Sequence, residues 1–483
     1  METPMPKNVR IRKVNCKDPA LQELMRKVRE EVERRYGRDL TFEERRDAAA
    51  AVMSDTLWLD EEEELREFAS DDDEIDVGGK RYRRLKQPSS AVYFGRWGGH
   101  RVEEALYREV SVHNGPTIKP LEVRLGIIEH LTADFARILG ELGARCASRE
   151  VVQILQAVGL EAPSRAFVEN RLTNIATEVA AEVEELEAVA RASQPIPASV
   201  ASVTCGMDRM AIRMAEPVEE AEPKRSMRAE PYERQPPTPK EFNYRMAWVG
   251  SATVYDEAGK ALHTWRHATD ASADPAQTAR RVTADVAAVV KEHPSIDVAC
   301  IQDGACELDV LPQCLRKGLP ASTHVNELTD IKHTMGYIEK VVDATEPAGD
   351  PNNRKVWYWS KLLHDDDAID KIVNKLKRQA KNLDEGATEE HDAIATALTY
   401  IQKRTDKMRY ATRHGANLTI GSGDTENTCW QMQDRVTRPA QAWAPEGSLQ
   451  GILALRGLVL SALWVAAWRH LVASCRRIVR PVA

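Results

Sequence analysis

The spacing of apolar residues changes twice along the chain. From residue 121 to 191 apolar side chains recur every three or four positions, which predicts helices. Between residues 200 and 330 short apolar runs separated by turn residues predict strands, with one amphipathic helix among them. Residues 342–410 return to the helical period. Helices on either side of a strand-rich segment predict an α/β fold with a mixed sheet.

The strand-rich segment begins with a strand and a β-hairpin. Residues 200–214 predict the strand, and its apolar positions change parity around Asp208, which predicts a bulge or a strand end there. Residues 244–255 and 260–267 flank the turn residues 256–259, which is a hairpin pattern. Asp208 is therefore expected in the strand that precedes the hairpin.

A helix and two further strands follow. Asp274 is suited to cap the helix and Pro275 to occupy its first position. Residues 296–301 form a short, mostly apolar run, which is typical of a strand buried on both faces, and residues 323–328 predict another strand. Asp303 then follows a buried strand, where α/β proteins place ligand-binding groups.

The helical segment before the sheet has three candidate N-caps. Thr132, Ser148 and Ser164 each precede an apolar-periodic run, and Gly143 and Gly159 are suited to end the first two helices. Two short helices, a turn and a long third helix are the parts of a helix-turn-helix DNA-binding unit. An ordinary helical bundle fits the same pattern.

Charge is distributed unevenly. The formal net charge is -8, which argues against a simple non-specific DNA binder. Residues 403–483 nevertheless hold 12 Lys and Arg against 5 Asp and Glu, whereas residues 60–64 and 71–74 are acidic runs. A basic C-terminal part suits an enzyme that holds phosphates.

Cysteine and hydropathy patterns indicate a cytoplasmic protein. The 8 Cys residues show no zinc-ligand spacing, which favours a reducing compartment and no structural zinc. The N-terminus has no apolar signal region. Arg456 and Arg469 interrupt the apolar stretch 451–475, so we expect a buried amphipathic helix there and no membrane span.

Three carboxylates are candidates for a metal-dependent site. Glu426 follows the turn Gly421-Ser422-Gly423 at a predicted helix start, and Asp208 and Asp303 lie at strands far upstream. Carboxylates gathered in this way can hold two divalent ions that act on phosphodiesters. The structural alternatives are a salt-bridged surface group for Asp208, a turn residue for Asp303 and a capping carboxylate for Glu426.

Five further residues are candidates for supporting roles. Asp330 and His333 are three positions apart and would share a face if helical, so they can support a metal site, orient DNA or form a structural hydrogen bond. Arg435, Arg438 and Trp443 are suited to phosphates and a stacked base, or to surface charges and a core aromatic.

The order of these motifs resembles a known enzyme family. Over roughly residues 90–475 the chain is similar to bacterial insertion-sequence transposases of the Kra-type group, and more distantly to Mutator-type transposases. The residues that carry the resemblance are Gly-Met-Asp208-Arg, Tyr244-Arg-Met-Ala, Val249-Gly, Asp303-Gly-Ala, Asp330-x-x-His333 and Gly421-Ser-Gly-x-x-Glu426.

The resemblance implies a ribonuclease H-like catalytic domain with an all-helical insertion. Combined with the patterns above, it divides the chain into five segments. These are a charged N-terminal arm or helical cap (1–85), a helical DNA-binding region (86–195), the first part of the catalytic domain (196–333), the helical insertion (334–420) and the C-terminal part of the catalytic domain (421–483).

The resemblance also implies DNA transposition by an Asp-Asp-Glu triad. Asp208, Asp303 and Glu426 match the triad, which would use two Mg²⁺ ions, with Mn²⁺ able to substitute. The expected partners are double-stranded DNA, as transposon ends and target, and further copies of the chain, since two ends must be brought together. Asp424 and Thr425 depart from the family, which has a small or apolar residue there.

Two other functions keep the same fold. One is a domesticated or inactive transposase that regulates by binding DNA, and the other is a nuclease that only hydrolyses. The intact triad favours the active transposase, and formation of strand-transfer products would separate it from the nuclease.

Overall fold

The computed structural model describes residues 18–218, 239–345, 350–384, 386–439, 441–445 and 447–482. These residues form two compact units. One contains the described residues up to Ala136 together with Val152–Arg165 and those from Ser474 onward, and the other contains Arg137–Val151 and Ala166–Ala473.

The first part of the chain folds into helices and a β-meander, followed by more helices. Thr41 forms a capping box with Glu44 at the start of the second helix. The elements are α1 (Pro19–Tyr36), α2 (Phe42–Glu67), β1 (Glu74–Val77), β2 (Lys80–Gly95), β3 (Gly98–Glu109), β4 (Thr117–Ile118), α3 (Pro120–Leu125), α4 (Ala133–Arg145), α5 (Ser148–Ala157), α6 (Arg165–Ala181) and α7 (Val183–Ala192).

The middle of the chain holds the predicted strands. The strand, the hairpin, the helix and both later strands are confirmed. The elements are β5 (Ser202–Pro217), β6 (Lys240–Tyr255), β7 (Ala261–Thr269), α8 (Pro275–Glu292), β8 (Asp297–Gln302), α9 (Val310–Gly318) and β9 (Val325–Thr329).

The remainder is helical in its described residues, apart from a short terminal strand. The elements are α10 (Ile331–Thr345), α11 (Pro351–His364), α12 (Ala368–Asn382), α13 (Thr388–Gln402), α14 (Ala411–Gly415), α15 (Gly423–Val436), α16 (Leu449–Leu460), α17 (Trp464–Cys475) and β10 (Val479–Pro481).

One sheet has the order β10-β1-β2-β3-β4, and all of its pairings are antiparallel. Its core contains the buried side chains of Ile75, Tyr82 and Tyr107. The predicted segment boundary between residues 85 and 86 falls inside β2, so the N-terminal segment and the one after it share a strand.

The other sheet has the order β7-β6-β5-β8-β9. β7, β6 and β5 pair antiparallel, whereas β5, β8 and β9 pair parallel, so the sheet is mixed as predicted. α8 connects β7 to β8, and the Asp274 carboxylate accepts a hydrogen bond from the Ala276 backbone N–H at its start. The predicted capping role of Asp274 is confirmed.

The predicted bulge or strand end near Asp208 is wrong, because β5 continues to Pro217. β5 and β6 pair without a register shift from Ser202↔Tyr255 to Pro217↔Lys240. The apolar parity changes because different helices cover the two faces of β5. Met207 lies on the face that packs against α8, near Gly250, whereas Met210 and Ile212 pack with Met432 of α15.

The helical segment before the sheet also differs from prediction in one place. α4 and α5 begin near Thr132 and at Ser148, as expected. The predicted long third helix is divided at Glu182 into α6 and α7. The charged Glu187 of α7 is thereby buried beside α8, where it contacts Arg281.

The interval between β9 and α15 forms a helical layer. Side chains of α10 to α13 pack together in one core. This core also includes Tyr410, which precedes α14, as well as Ile301 of β8 and Leu328 of β9. No strand occurs among the described residues of 334–420, which agrees with the predicted helical insertion.

The C-terminal apolar stretch contains two helices where one is predicted. α16 and α17 are separated by residues 461–463, and Ala462 has a φ of 56°. Arg456 is buried because its guanidinium donates to the carbonyl oxygens of Ala144 and Gln431. Within the described residues, no helix has the length and apolar character needed to span a membrane.

Candidate active site

Asp208 lies in the central strand β5. Pairing between β5 and β8 ends at Cys205, so the Asp208 side chain follows the part of β5 that β8 covers. Its Oδ1 accepts a hydrogen bond from the Arg209 backbone N–H at 2.7 Å, and Cys429 Sγ lies 3.6 Å from its Oδ2. Burial raises the pKa of Asp208, and the charge of Asp303 raises it further.

Asp303 follows β8 in a loop that the helical layer holds. Its carboxylate accepts a hydrogen bond from the Ala305 backbone N–H at 2.8 Å, and its carbonyl oxygen accepts one from the Tyr400 hydroxyl. The next carbonyl, of Gly304, accepts from Arg404 Nε at 3.0 Å. Two side chains of the α13 region thus fix the backbone that carries Asp303.

Glycine at position 304 is required by its backbone conformation and by Arg404. Its φ is +85°, a conformation that favours glycine, and a Cβ there would lie 2.4 Å from Arg404 Nε. The Arg404 side chain therefore occupies the space that a side chain at position 304 would need.

Glu426 lies in the first turn of α15. Its Oε1 accepts a hydrogen bond from the Ser422 hydroxyl at 3.1 Å, and Ser422 itself makes no side-chain cap bond. A carboxylate in this first turn is favoured by the helix dipole, so the structural alternative stays open beside the metal-binding role.

Asp330 is a buried junction between β9, α10 and α15. It precedes α10, and its Oδ1 accepts a hydrogen bond from the His333 backbone N–H at 2.9 Å. Its Oδ2 accepts from the Ser422 backbone N–H and, at 2.9 Å, from the Ser422 hydroxyl. The predicted pairing of Asp330 with His333 is thus a backbone contact at a helix start.

The five acidic and histidine candidates lie in one region. Side-chain ligand atoms of Asp330, His333 and Glu426 lie within 4.8 Å of one another. Besides the effect of burial, the charge of Asp303 raises the pKa of Asp208 and His333 lowers it. Burial raises the pKa of the Cys429 thiol, which contacts Asp208, and the charge of Glu426 raises it further. This three-residue group shares only Glu426 with the predicted triad.

The site carries uncompensated negative charge. Among the described residues, no salt bridge reaches Asp208, Asp303 or Glu426, and the nearby Arg209 pairs with Glu307 at 3.0 Å. Neighbouring carboxylates without a basic partner repel one another, and a bound cation relieves that repulsion. Oxygen donors of this kind suit Mg²⁺ and Mn²⁺.

Asp424 and Thr425 hold α15 against the sheet. The Thr425 hydroxyl lies 2.9 Å from Ser251 Oγ of β6, and a Cβ on Gly206 of β5 would lie 2.6 Å from Thr425 Oγ1. The Asp424 carboxylate accepts a hydrogen bond from the Tyr255 hydroxyl. These two departures from the family pattern therefore have a packing role in this chain.

Two of the predicted DNA-contacting residues are engaged inside the protein. Arg435 is only 5% exposed and donates to the Gly143 carbonyl at 2.8 Å. Trp443 donates from Nε1 to the Val436 carbonyl at 2.8 Å, and its backbone pairs with that of Arg213. The prediction for Arg435 is corrected, because a buried guanidinium cannot reach a phosphate. Trp443 is half-buried, so its stacking on a base stays a prediction.

Arg438 is half-buried and pairs with the Glu150 carboxylate. Its contact with DNA stays a prediction.

The residues that sequence reasoning missed are Ser422, Cys429, Tyr400 and Arg404. Ser422 was visible as part of the Gly-Ser-Gly turn, but its role as a donor depends on Asp330, which lies 92 positions away.

Comparisons of the sequence with protein-family models and with curated proteins give no match.

Proposed function

We propose that this protein is a DNA transposase that cleaves transposon ends and joins them to target DNA. The observation that carries the proposal is that Cys429, one turn after Glu426 in α15, lies 3.6 Å from Asp208, whose pKa the charge of Asp303 raises in addition to burial. Asp208, Asp303 and Glu426 therefore come from a central strand, a strand end and a late helix to one region. That a ribonuclease H-like sheet underlies the site is part of the proposal. The order β7-β6-β5-β8-β9, with α8 joining β7 to β8, supports it.

Asp208, Asp303 and Glu426 would hold two Mg²⁺ ions, or Mn²⁺ in their place. Such ions supply Lewis acidity for in-line displacement at a phosphodiester. The fit rests on three carboxylates without a basic partner in the described chain. His333 offers a nitrogen, whereas Mg²⁺ prefers oxygen ligands. We therefore place His333 next to the metal site and do not count it among the metal ligands.

The chain's own residues orient this site. Asp330 accepts two hydrogen bonds from Ser422 and so fixes the start of α15, one turn before Glu426. Tyr400 and Arg404 fix the loop of Asp303. Preorganised carboxylates need no rearrangement when substrate arrives, which lowers the cost of reaching the transition state.

Double-stranded DNA is the proposed substrate, with two or more copies of the chain joining two ends. The test is excision from a donor plasmid carrying the DNA that flanks the coding sequence, with wild type and Glu426→Gln compared in Mg²⁺. Excision and strand-transfer products from wild type alone would support the proposal. Cleavage without strand transfer would favour a hydrolytic nuclease, and specific end binding without cleavage would favour a regulator.

A further inference from the structure

α11 and α12 form a strongly basic pair of helices. Together they hold eight Lys and Arg residues and one Asp. Three of the nearby aspartates contact residues 409–411. Asp366 accepts a hydrogen bond from the Ala411 backbone N–H, and Asp367 and Asp370 pair with Arg409. Part of the positive charge faces solvent without an acidic partner in the described residues, on Lys361, Lys377, Arg378 and Lys381.

Three consecutive aromatic residues of α11 have different surroundings. Tyr358 is 2% exposed and belongs to the core of the helical layer. Trp359 donates from Nε1 to Glu339 Oε1 of α10 at 3.2 Å. Trp357 is 42% exposed, so much of its indole surface is open to solvent.

Cations surround the exposed indole. Lys361 Nζ lies 5.7 Å and Lys375 Nζ 5.5 Å from the centroid of Trp357, and the Arg354 guanidinium lies 6.0 Å from it. No salt bridge joins Lys361 or Lys375 to a carboxylate in the part of the chain that the structure describes. In contrast, Lys355 and Lys371 on the same two helices pair with Asp343 and Asp365.

We propose that Trp357, Lys361 and Lys375 bind a DNA strand with unpaired bases. The indole would stack on one base while the two ammonium groups contact the flanking phosphates. A flat apolar ring combined with mobile positive charges matches a nucleotide, which presents a base face and a phosphate within one residue. An acidic protein segment would satisfy the charges but not the ring. The choice of DNA over RNA rests on the proposed transposase function.

The experiment measures binding of the full-length protein to a short fluorescein-labelled oligonucleotide by fluorescence anisotropy. The oligonucleotide is used as a single strand and as its duplex, without divalent metal. Trp357→Ala should weaken single-strand binding by between about 5-fold and about 100-fold, as loss of one stacked base does. Trp357→Phe should retain most of the affinity, and the duplex should respond less, since its bases are already stacked.

A matched pair of double variants separates contact from overall charge. Lys361→Ala with Lys375→Ala removes the two proposed phosphate contacts. The slope of log affinity against log salt should then become shallower by about 1.4, at about 0.7 per phosphate contact with single strands. Lys355→Ala with Lys371→Ala removes the same charge from lysines already paired with aspartates, and its slope should stay close to that of wild type.

The inference is overturned if wild type does not bind the single strand, or if both double variants lose affinity equally. It is also overturned if Trp357→Ala is shown by circular dichroism to be folded and binds the single strand as tightly as wild type does. Glu426→Gln should bind normally in this assay. If wild type fails to excise DNA but shows Trp357-dependent binding, only the proposed function is refuted. If wild type excises DNA and Trp357→Ala changes neither excision nor binding, only this inference is refuted.

Discussion

The Ser422 hydroxyl lies between two carboxylates, 2.9 Å from Asp330 Oδ2 and 3.1 Å from Glu426 Oε1. A hydroxyl carries one proton, so it donates to one of these oxygens at a time. The Ser422 backbone N–H donates to Asp330 as well. Asp330 therefore fixes the turn that presents Glu426. The Ser422 hydroxyl can donate its hydrogen bond either to Asp330 or to Glu426.

Replacing Asp330 with Ala should destabilise the protein and reduce cleavage. The Ser422 N–H would be left buried without an acceptor, at a cost of about 1–3 kcal/mol in the free energy of unfolding. Urea unfolding would measure the loss of stability, and an assay with donor plasmid would measure the loss of cleavage. Ser422→Ala removes only the hydroxyl and should cost about 0.5–1.5 kcal/mol. Equal losses from both variants would contradict the role of the backbone bond.

Replacing Asp303 with Asn should stabilise the metal-free protein while abolishing stabilisation by Mg²⁺ or Mn²⁺. Asparagine can still accept the Ala305 N–H bond, but it removes the charge that raises the pKa of Asp208. Thermal unfolding with and without each cation is the measurement. The proposed cation site would be refuted if Asp303→Asn and wild type gained equal stability from the metal.

Replacing Tyr400 with Phe should lower cleavage with little effect on folding. The change removes the hydroxyl that donates to the Asp303 carbonyl, which is worth about 0.5–1.5 kcal/mol. Tyr337 stacks on Tyr400 with ring centroids 4.0 Å apart, so Tyr337→Phe is a matched control that keeps the stacking. Similar cleavage rates for the two variants would show that the Asp303 loop does not depend on this bond.

Two glycine substitutions should have opposite effects on stability. Gly304→Ala places a side chain at a φ of +85° and against Arg404, so a loss of at least about 1–2 kcal/mol is expected. Gly336→Ala lies in α10 with no atom within 4 Å of the new Cβ, so a gain of about 0.5–1 kcal/mol is expected. Urea unfolding measures both, and destabilisation by Gly336→Ala would contradict the assigned space.

The free energy of unfolding should fall as pH rises through the raised pKa that His267 has in the folded state. Burial alone lowers its pKa, but the Glu187 and Asp285 carboxylates outweigh burial and raise it. A raised pKa in the folded state gives stabilisation that is complete below the unfolded value of about 6.5 and is lost as pH rises through the folded value. Urea unfolding of wild type and His267→Gln across this range tests it, since the variant should lack this part of the pH dependence.

Local patterns were sufficient for most elements of the mixed sheet. The Asp274-Pro275 pair marks the start of α8, and the apolar run before Asp303 marks β8, because caps and buried strands leave signals within a few residues. The parity change at Asp208 was misread as a bulge, since sequence does not show which helix covers which face of β5.

The charged candidate residues could be predicted from the sequence, whereas the residues that hold them in place could not. Asp208, Asp303 and Glu426 lie at strand and helix positions that the sequence indicates. Tyr400 and Arg404 reach the Asp303 loop from about a hundred residues away, so no local pattern connects them. Arg435 was assigned to DNA because exposure was assumed, whereas it is buried and donates to the Gly143 carbonyl.

The separation of Asp330 from Ser422 by 92 residues has a consequence for biosynthesis. While the chain is being made, β5, β8 and β9 leave the ribosome before the turn that carries Ser422 exists. Until that turn arrives, Asp330 has no Ser422 donor and Glu426 has no fixed place. Under the proposed function, a chain that ends before Ser422 and Glu426 would be unable to cut DNA, so cleavage would begin only after this part of the enzyme has been synthesised.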